Sequence, residues 1–237
     1  MLAGMIRLTP ILLLVGFLTG LAATPTALWG QVPPSPSELK VYAGLHAAAA
    51  KGDVAEIEQL IRDGEKPNLQ DSRSRTPLHV AAHFGRHDAA RALLRLGANP
   101  NALDHERYDI ITIAAVKNDL EMLRIALENG GNPRAITSPY EGTALIAAAH
   151  RGNVEAVRLL IAAGAPLDHV NNLGWTALIE AVVLGNGDGN HTATVEALAK
   201  AGADPNVADR QKMTALAHAR ARRYGDMIRI LLAAGAL

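Results

Sequence analysis

His79, His83 and His87 recur at intervals of four residues, a spacing that places His79 and His83 on one face of a helix. Paired imidazoles begin many zinc sites, but zinc needs further ligands, and Gly85 breaks the helix before His87. Asn186-Gly-Asp-Gly-Asn puts oxygen-bearing side chains at alternate positions, like the first half of a calcium loop. The twelfth place, where the bidentate carboxylate belongs, holds Ala197, with Glu196 one residue short. A metal-dependent factor or enzyme using His79 and His83 or the loop 186–190 is therefore the second reading; no metal or cofactor is expected.

The remaining chemistry is bounded by what the chain lacks. It contains no cysteine, which excludes disulfides, thiolate metal sites and a cysteine nucleophile. It has no phosphate-cradling Gly-x-x-x-x-Gly-Lys, no Gly-x-Ser-x-Gly elbow and no His-Glu-x-x-His, so no catalytic residue is expected. Lysine and arginine total 23, against 23 aspartate and glutamate, leaving no net field to favour nucleic acid. Aromatic residues are 3% of a chain that is 49% hydrophobic, so its core must be Ala, Leu, Ile and Val, which suits closely packed helices.

The element that would position any site is a repeat of 33 or 34 residues from Leu45 onward. Thr76-Pro-Leu-His-Val-Ala-Ala returns as Asp109-Ile-Ile-Thr-Ile-Ala-Ala, Thr143-Ala-Leu-Ile-Ala-Ala-Ala, Thr176-Ala-Leu-Ile-Glu-Ala-Val and Thr214-Ala-Leu-Ala-His-Ala-Arg, with a degenerate first copy at Leu45. Each unit closes on a glycine: Gly64, Gly97, Gly130, Gly164, Gly202 and Gly235. Thr76 is suited to N-cap a helix that Pro77 starts, and Gly52, Gly85 and Gly152 to reverse the chain into a second helix. Val154, Val157, Leu160 and Ile161 give that second helix one apolar stripe. Paired alanines, as at Ala81 and Ala82, let neighbouring units approach closely and stack.

The pattern resembles the ankyrin repeat family over Leu45 to Leu237, most clearly in Thr76-Pro-Leu-His-Val-Ala-Ala and Gly202-Ala-Asp-Pro-Asn. The resemblance implies an all-α solenoid of about six stacked helix-turn-helix units with extended β-turn fingers. Departures fall at Asp109 and Ile110 in place of Thr-Pro, at Asn118 and Arg223 in place of glycine, and at Ala126 in an apolar stripe. The third unit is expected to be among the less stable. The fifth is five residues longer, and its insertion at 186–190 is expected to be an exposed loop.

Partners of ankyrin proteins usually lie on a concave surface of fingers and first helices, here fingers centred on 71–75, 104–108, 138–141, 171–175 and 209–213. Trp175, Tyr140, Tyr108 and Arg107 are the candidate anchors, because Trp, Tyr and Arg carry a disproportionate share of interface energy. Trp175 and Tyr108 could equally pack between fingers. His83 with Phe84, and His150 with Arg151, form an inward row by the same resemblance, or ordinary solvated helix ends. Arg220, Arg222, Arg223 and Arg229 make the last unit basic, as a terminal cap or an acidic partner's dock.

The first 30 residues read as a signal peptide. Arg7 precedes an apolar run from Ile11 to Leu18, followed by the small residues Gly20, Ala22 and Ala23. An uncleaved anchor is the rival, because no charge occurs from Leu8 to Gly30, but Pro10, Gly16, Gly20 and Pro25 weaken it. Residues 31–40 read as a proline-rich linker and 41–237 as the repeat domain. The expectation is an exported, most simply periplasmic, scaffold that binds a protein, with no nucleic acid and no membrane span after cleavage. A structural or protective envelope protein is the third reading.

Overall fold

The computed structural model describes residues 31–237, so the signal peptide and the anchor alternative lie outside the described residues. Each repeat contributes an inner and an outer helix, packed in two parallel layers. The inner layer is α2 (Gly44–Lys51), α4 (Pro77–His83), α6 (Ile110–Lys117), α8 (Ala144–Arg151), α10 (Ala177–Val183) and α12 (Ala215–Arg222). The outer layer is α3 (Val54–Arg62), α5 (His87–Arg95), α7 (Leu120–Glu128), α9 (Val154–Ala162), α11 (Gly189–Lys200) and α13 (Gly225–Ala233). Every inner helix packs on the next inner helix, and every outer helix on the next outer one. Among the described residues there is no β-strand, only isolated bridges at Thr137–Gly142 and Ala208–Thr214. No described helix is long and apolar enough to cross a membrane.

The caps follow the sequence. Thr76, Thr143, Thr176 and Thr214 each accept a backbone N–H from three residues on, and Asp109 does the same for Thr112 at 2.8 Å. Asp109 is a chemical equivalent of threonine at this task, although burial pushes its carboxyl above the usual range. Asn118 and Arg223 take the glycine conformation, with φ of 54° and 60°. Asn tolerates it well; Arg223 pays about 1 kcal/mol.

The central inner helices are buried nearly all round: every residue of α4 is buried, and Ala81, Ala114 and Ala148 are each 1% exposed or less, while the terminal α2 and α12 bury one face. Outer helices bury one face, as with Ala156, Val157 and Leu160 of α9. Ala126, suspected of weakening the third unit, is fully buried beside Met122, Leu123 and Ile125, so α7 presents a closed apolar face.

Two expectations are corrected. Residues 31–40 are not a free linker: Ser35 caps a short helix, α1 (Pro36–Val41), through a reciprocal box with Glu38. That helix docks on the first finger through Glu38, whose Oε1 accepts from Arg75 Nη2 at 2.5 Å. The insertion at 186–190 is only in part a loop, because Gly189 and Asn190 begin α11, lengthening it to 12 residues.

Candidate functional site

Each finger is closed by one short polar side chain that the sequence placed but whose task it did not reveal. Asp71 Oδ1 accepts from the backbone N–H groups of Arg73 and Arg75 at 2.8 and 2.9 Å. Asp104, Asn171 and Asp209 repeat the arrangement, and Ser138 does so more loosely, at 3.3 and 3.4 Å. The turn puts Ser74, Arg107, Glu141, Gly174 and Lys212 at positive φ. Gly174 needs its missing side chain for a second reason, since a Cβ there would stand 2.7 Å from Arg210 Cγ.

Successive fingers are laced together. His105 N donates to Arg73 O at 2.8 Å, Ser138 N to Arg107 O at 3.0 Å, and Asn172 N to Tyr140 O at 2.9 Å. Arg210 Nη2 continues the series to Asn172 O. Inner helices brace the next finger from below: His46 Nε2 lies 2.8 Å from Arg75 O, and His79 Nε2 3.1 Å from Tyr108 O. The result is a ribbon of fixed tips, a surface that loses little freedom when something docks on it.

The nominated anchors separate on this ribbon. Arg107 is exposed, and Trp175 and Tyr140 are half-buried with their rings against the core cluster. Tyr108 is corrected: it is 1% exposed, burial pushes its phenol well above the usual range, and its place is in the stack, out of a partner's reach. Arg151 is exposed and Phe84 half-buried at the inner-helix ends, while His83 is 5% exposed, not a solvated helix end. Burial lowers its imidazole to about 3, so it is neutral at physiological pH.

His150 meets a residue the sequence reading overlooked. Its Nδ1 lies 3.2 Å from Oε2 of Glu180, a carboxylate 0% exposed whose other oxygen accepts from Asn171 Nδ2 at 3.0 Å. The signal was available: Glu180 interrupts the apolar run of α10 on a helix that has no exposed face.

The metal reading does not survive the geometry. His79 spends Nδ1 on Thr76 Oγ1 at 2.8 Å and Nε2 on Tyr108 O, and His87 turns to Asp119 at 2.8 Å. Asp188 of the insertion caps α11, accepting from His191 N at 2.8 Å. His191 Nε2 in turn lies 3.1 Å from His150 O, pinning the insertion to α8. The described residues contain no group of three or more His, Asp or Glu able to hold a metal.

Comparisons with known proteins agree with this architecture. The model of ankyrin repeats (3 copies) matches residues 45–137 and 110–209. Over 98 residues the chain is 35% identical to the putative ankyrin repeat protein YahD of Escherichia coli (strain K12), covering 41% of this chain and 49% of that one. It therefore spans about half the length of this curated relative. A crystal structure of an ankyrin repeat domain from Acinetobacter baumannii AYE is 44% identical with a TM-score of 0.78, covering 81% of this chain and 98% of that one. A chain from the complex of the Bdellovibrio bacteriovorus predatory endopeptidase Bd0816 with immunity protein Bd3460 is 25% identical with a TM-score of 0.69, covering 81% and 98%. With the family model spanning most of the described repeats, which pair an inner with an outer helix and are joined by five fingers, the chain belongs to the ankyrin repeat family.

Proposed function

We propose that this protein is an exported, non-enzymatic scaffold that holds another protein on its finger and inner-helix surface. The observation behind this reading is the laced ribbon of fingers from Arg73 to Arg210, which presents Arg107, Glu141, Asn172 and Arg210 to solvent beside the half-buried rings of Tyr140 and Trp175. Half-buried aromatics flanked by polar side chains on a preorganised support make up the composition of interface centres. Export rests on the uncharged stretch from Leu8 to Gly30 behind Arg7, with small residues after it.

Crosslinking capture from an envelope fraction tests the reading, with wild type compared against Arg107→Ala/Trp175→Ala. One dominant protein captured by wild type and lost from the folded variant supports it; capture unchanged by the variant overturns it. Fractionation with N-terminal sequencing tests the export, which is refuted by an unprocessed chain in the cytoplasm.

A partner that is itself an exported hydrolase is the form of this reading favoured by the similarity to a chain of the endopeptidase–immunity protein complex. Loss of a co-purifying peptidase activity on adding the scaffold would support that form, and an inactive captured partner would remove it.

A further inference from the structure

The C-terminal ends of α4, α6 and α8 line an open cavity of about 380 Å³, and its fourth wall is the chain's own segment before α1. Phe84, Val116 and Pro33 give it apolar sides, while Lys117 and Arg151 stand at its rim. Two residues that line it carry a buried nitrogen without a hydrogen-bond partner among the described residues: His83, 5% exposed, at Nε2, and Gln31 at its amide Nε2, which only donates. Buried polar atoms without partners are rare and costly, and two in the walls of one cavity single it out from the rest of the described surface.

The donors decide the chemistry. No aspartate or glutamate lines the cavity. Arg151 is exposed and has no ion pair among the described residues, and Lys117 Nζ uses one donor on His83 O at 2.8 Å, keeping two. The three helix ends each contribute roughly half a negative charge, and the two full cations leave the rim positive. Two cations beside apolar walls, with no carboxylate among the lining residues, suit a carboxylate with an aliphatic neighbour. The volume exceeds what a carboxylate alone fills and lies at the small end of ligand pockets, which run from about 300 Å³.

The row continues beyond the cavity. The position of Phe84, Lys117 and Arg151 at the end of each inner helix is held by Lys51 before them and by Leu184 and Arg222 after them, with all four cations exposed. A chain lying along the row passes the cavity and does not end in it.

We infer that this cavity is a subsite for an acidic side chain of an extended partner segment, flanked by aliphatic residues, and that the chain's own Gln31–Pro33 completes it. The subsite rests on the partner-binding reading above and names what part of the partner is gripped. The N-terminal segment is thereby a component of the site, held in register by Arg75, whose Nη1 reaches Val32 O at 3.5 Å.

The test uses residues 31–237 joined to whatever of the leader the mature protein keeps, with three probes: acetyl-Leu-Glu-Leu-amide, acetyl-Leu-Gln-Leu-amide and acetyl-Leu-Leu-Leu with a free C-terminus. Binding is followed through the NMR signals of the Gln31 side-chain amide, the His83 ring and the Val116 methyls. The Glu peptide should shift all three saturably, bind about tenfold tighter than the Gln peptide, and lose about tenfold on Arg151→Gln. Inorganic phosphate at equal concentration should not displace it. No saturable shift, equal affinity for the Glu and Gln peptides, preference for the free C-terminus, or displacement by phosphate would each overturn the assignment. Arg151→Gln alters an exposed side chain, so an unchanged thermal midpoint separates lost binding from lost fold. Failure here with capture by Arg107 and Trp175 intact removes the subsite alone; failure of that capture removes the scaffold reading.

Discussion

The guanidinium of Arg75 is 1% exposed and lies between two carboxylates, Glu38 Oε1 at 2.5 Å and Asp71 Oδ2 at 2.8 Å. Tyr42 closes the group by donating to the same Asp71 oxygen at 2.5 Å. One residue of the first finger thus fastens α1 to the repeat stack, and the stack begins before its first repeat.

Arg75→Ala should be among the most damaging single changes, costing about 3 kcal/mol, because it empties a fully buried position and leaves the largely covered Asp71 carboxylate without its cation. Glu38→Gln should cost only about 1 kcal/mol, since Asp71 still pairs the guanidinium and Glu38 itself is partly solvated. Urea unfolding of both variants measures the ratio, and equal losses would show that Glu38 is the dominant partner.

Acid should destabilise the protein in two stages. Burial lowers His83 from 6.5 to about 3 and lowers His79 as well, so as pH falls below 6.5 the unfolded chain takes up protons that the folded one refuses. Stability therefore declines from pH 6.5 downward, by about 1.4 kcal/mol per pH unit for each proton of difference. A second loss follows from Glu38 and Asp71. Glu38 is lowered first by the Ser35 backbone and then by Arg75; Asp71, which burial alone would raise, is lowered on balance by Tyr42 and Arg75. Their stabilisation is complete above their unfolded values, 4.5 and 3.8, and disappears as pH falls through the lower folded ones. Unfolding midpoints between pH 7 and 5 should be flatter in His83→Gln; an unaltered slope would contradict the burial account.

Much of this was legible beforehand. The six units, their caps and the reversal at Gly152 follow from threonine, proline and glycine at fixed offsets, because each has one local task. What sequence periodicity could not supply is tertiary pairing. Arg75 is only the end of a finger until Glu38 is seen across from it, and Tyr108 reads equally as an interface anchor or as packing between fingers until its ring is found buried. The stretch 31–40 looked like a linker because prolines dominate it, yet Ser35 and Glu38 spell a capping box that a search for helix starts would have found.

Gly131 stands where four other units carry alanine, at Ala98, Ala165, Ala203 and Ala236. A Cβ there would lie 2.7 Å from Ala126 O and 2.8 Å from Ile111 Cδ1. The consensus change Gly131→Ala should therefore destabilise, by about 1–3 kcal/mol, where repeat averaging would expect a gain. A raised thermal midpoint would contradict the close approach.

Glu180 is buried against Asn171 and His150, so Glu180→Ala should cost about 2 kcal/mol by removing the acceptor they share. Glu180→Gln keeps the shape and one acceptor and should cost less. Two variants of equal stability would mean that neither the shape nor the remaining acceptor of the amide contributes, and that both losses are those of the carboxylate itself.

The proposed partner-binding face is tested most directly by site-specific photocrosslinking in cells that export the protein as proposed, with a photoreactive residue placed singly at Arg107, Asn172, Glu128 or Ala162. The first two positions lie on the finger ribbon and the last two are exposed positions of the outer helices. The account predicts one discrete adduct from Arg107 and Asn172 and none from Glu128 and Ala162. The same adduct from the outer helices, with none from the fingers, would contradict it.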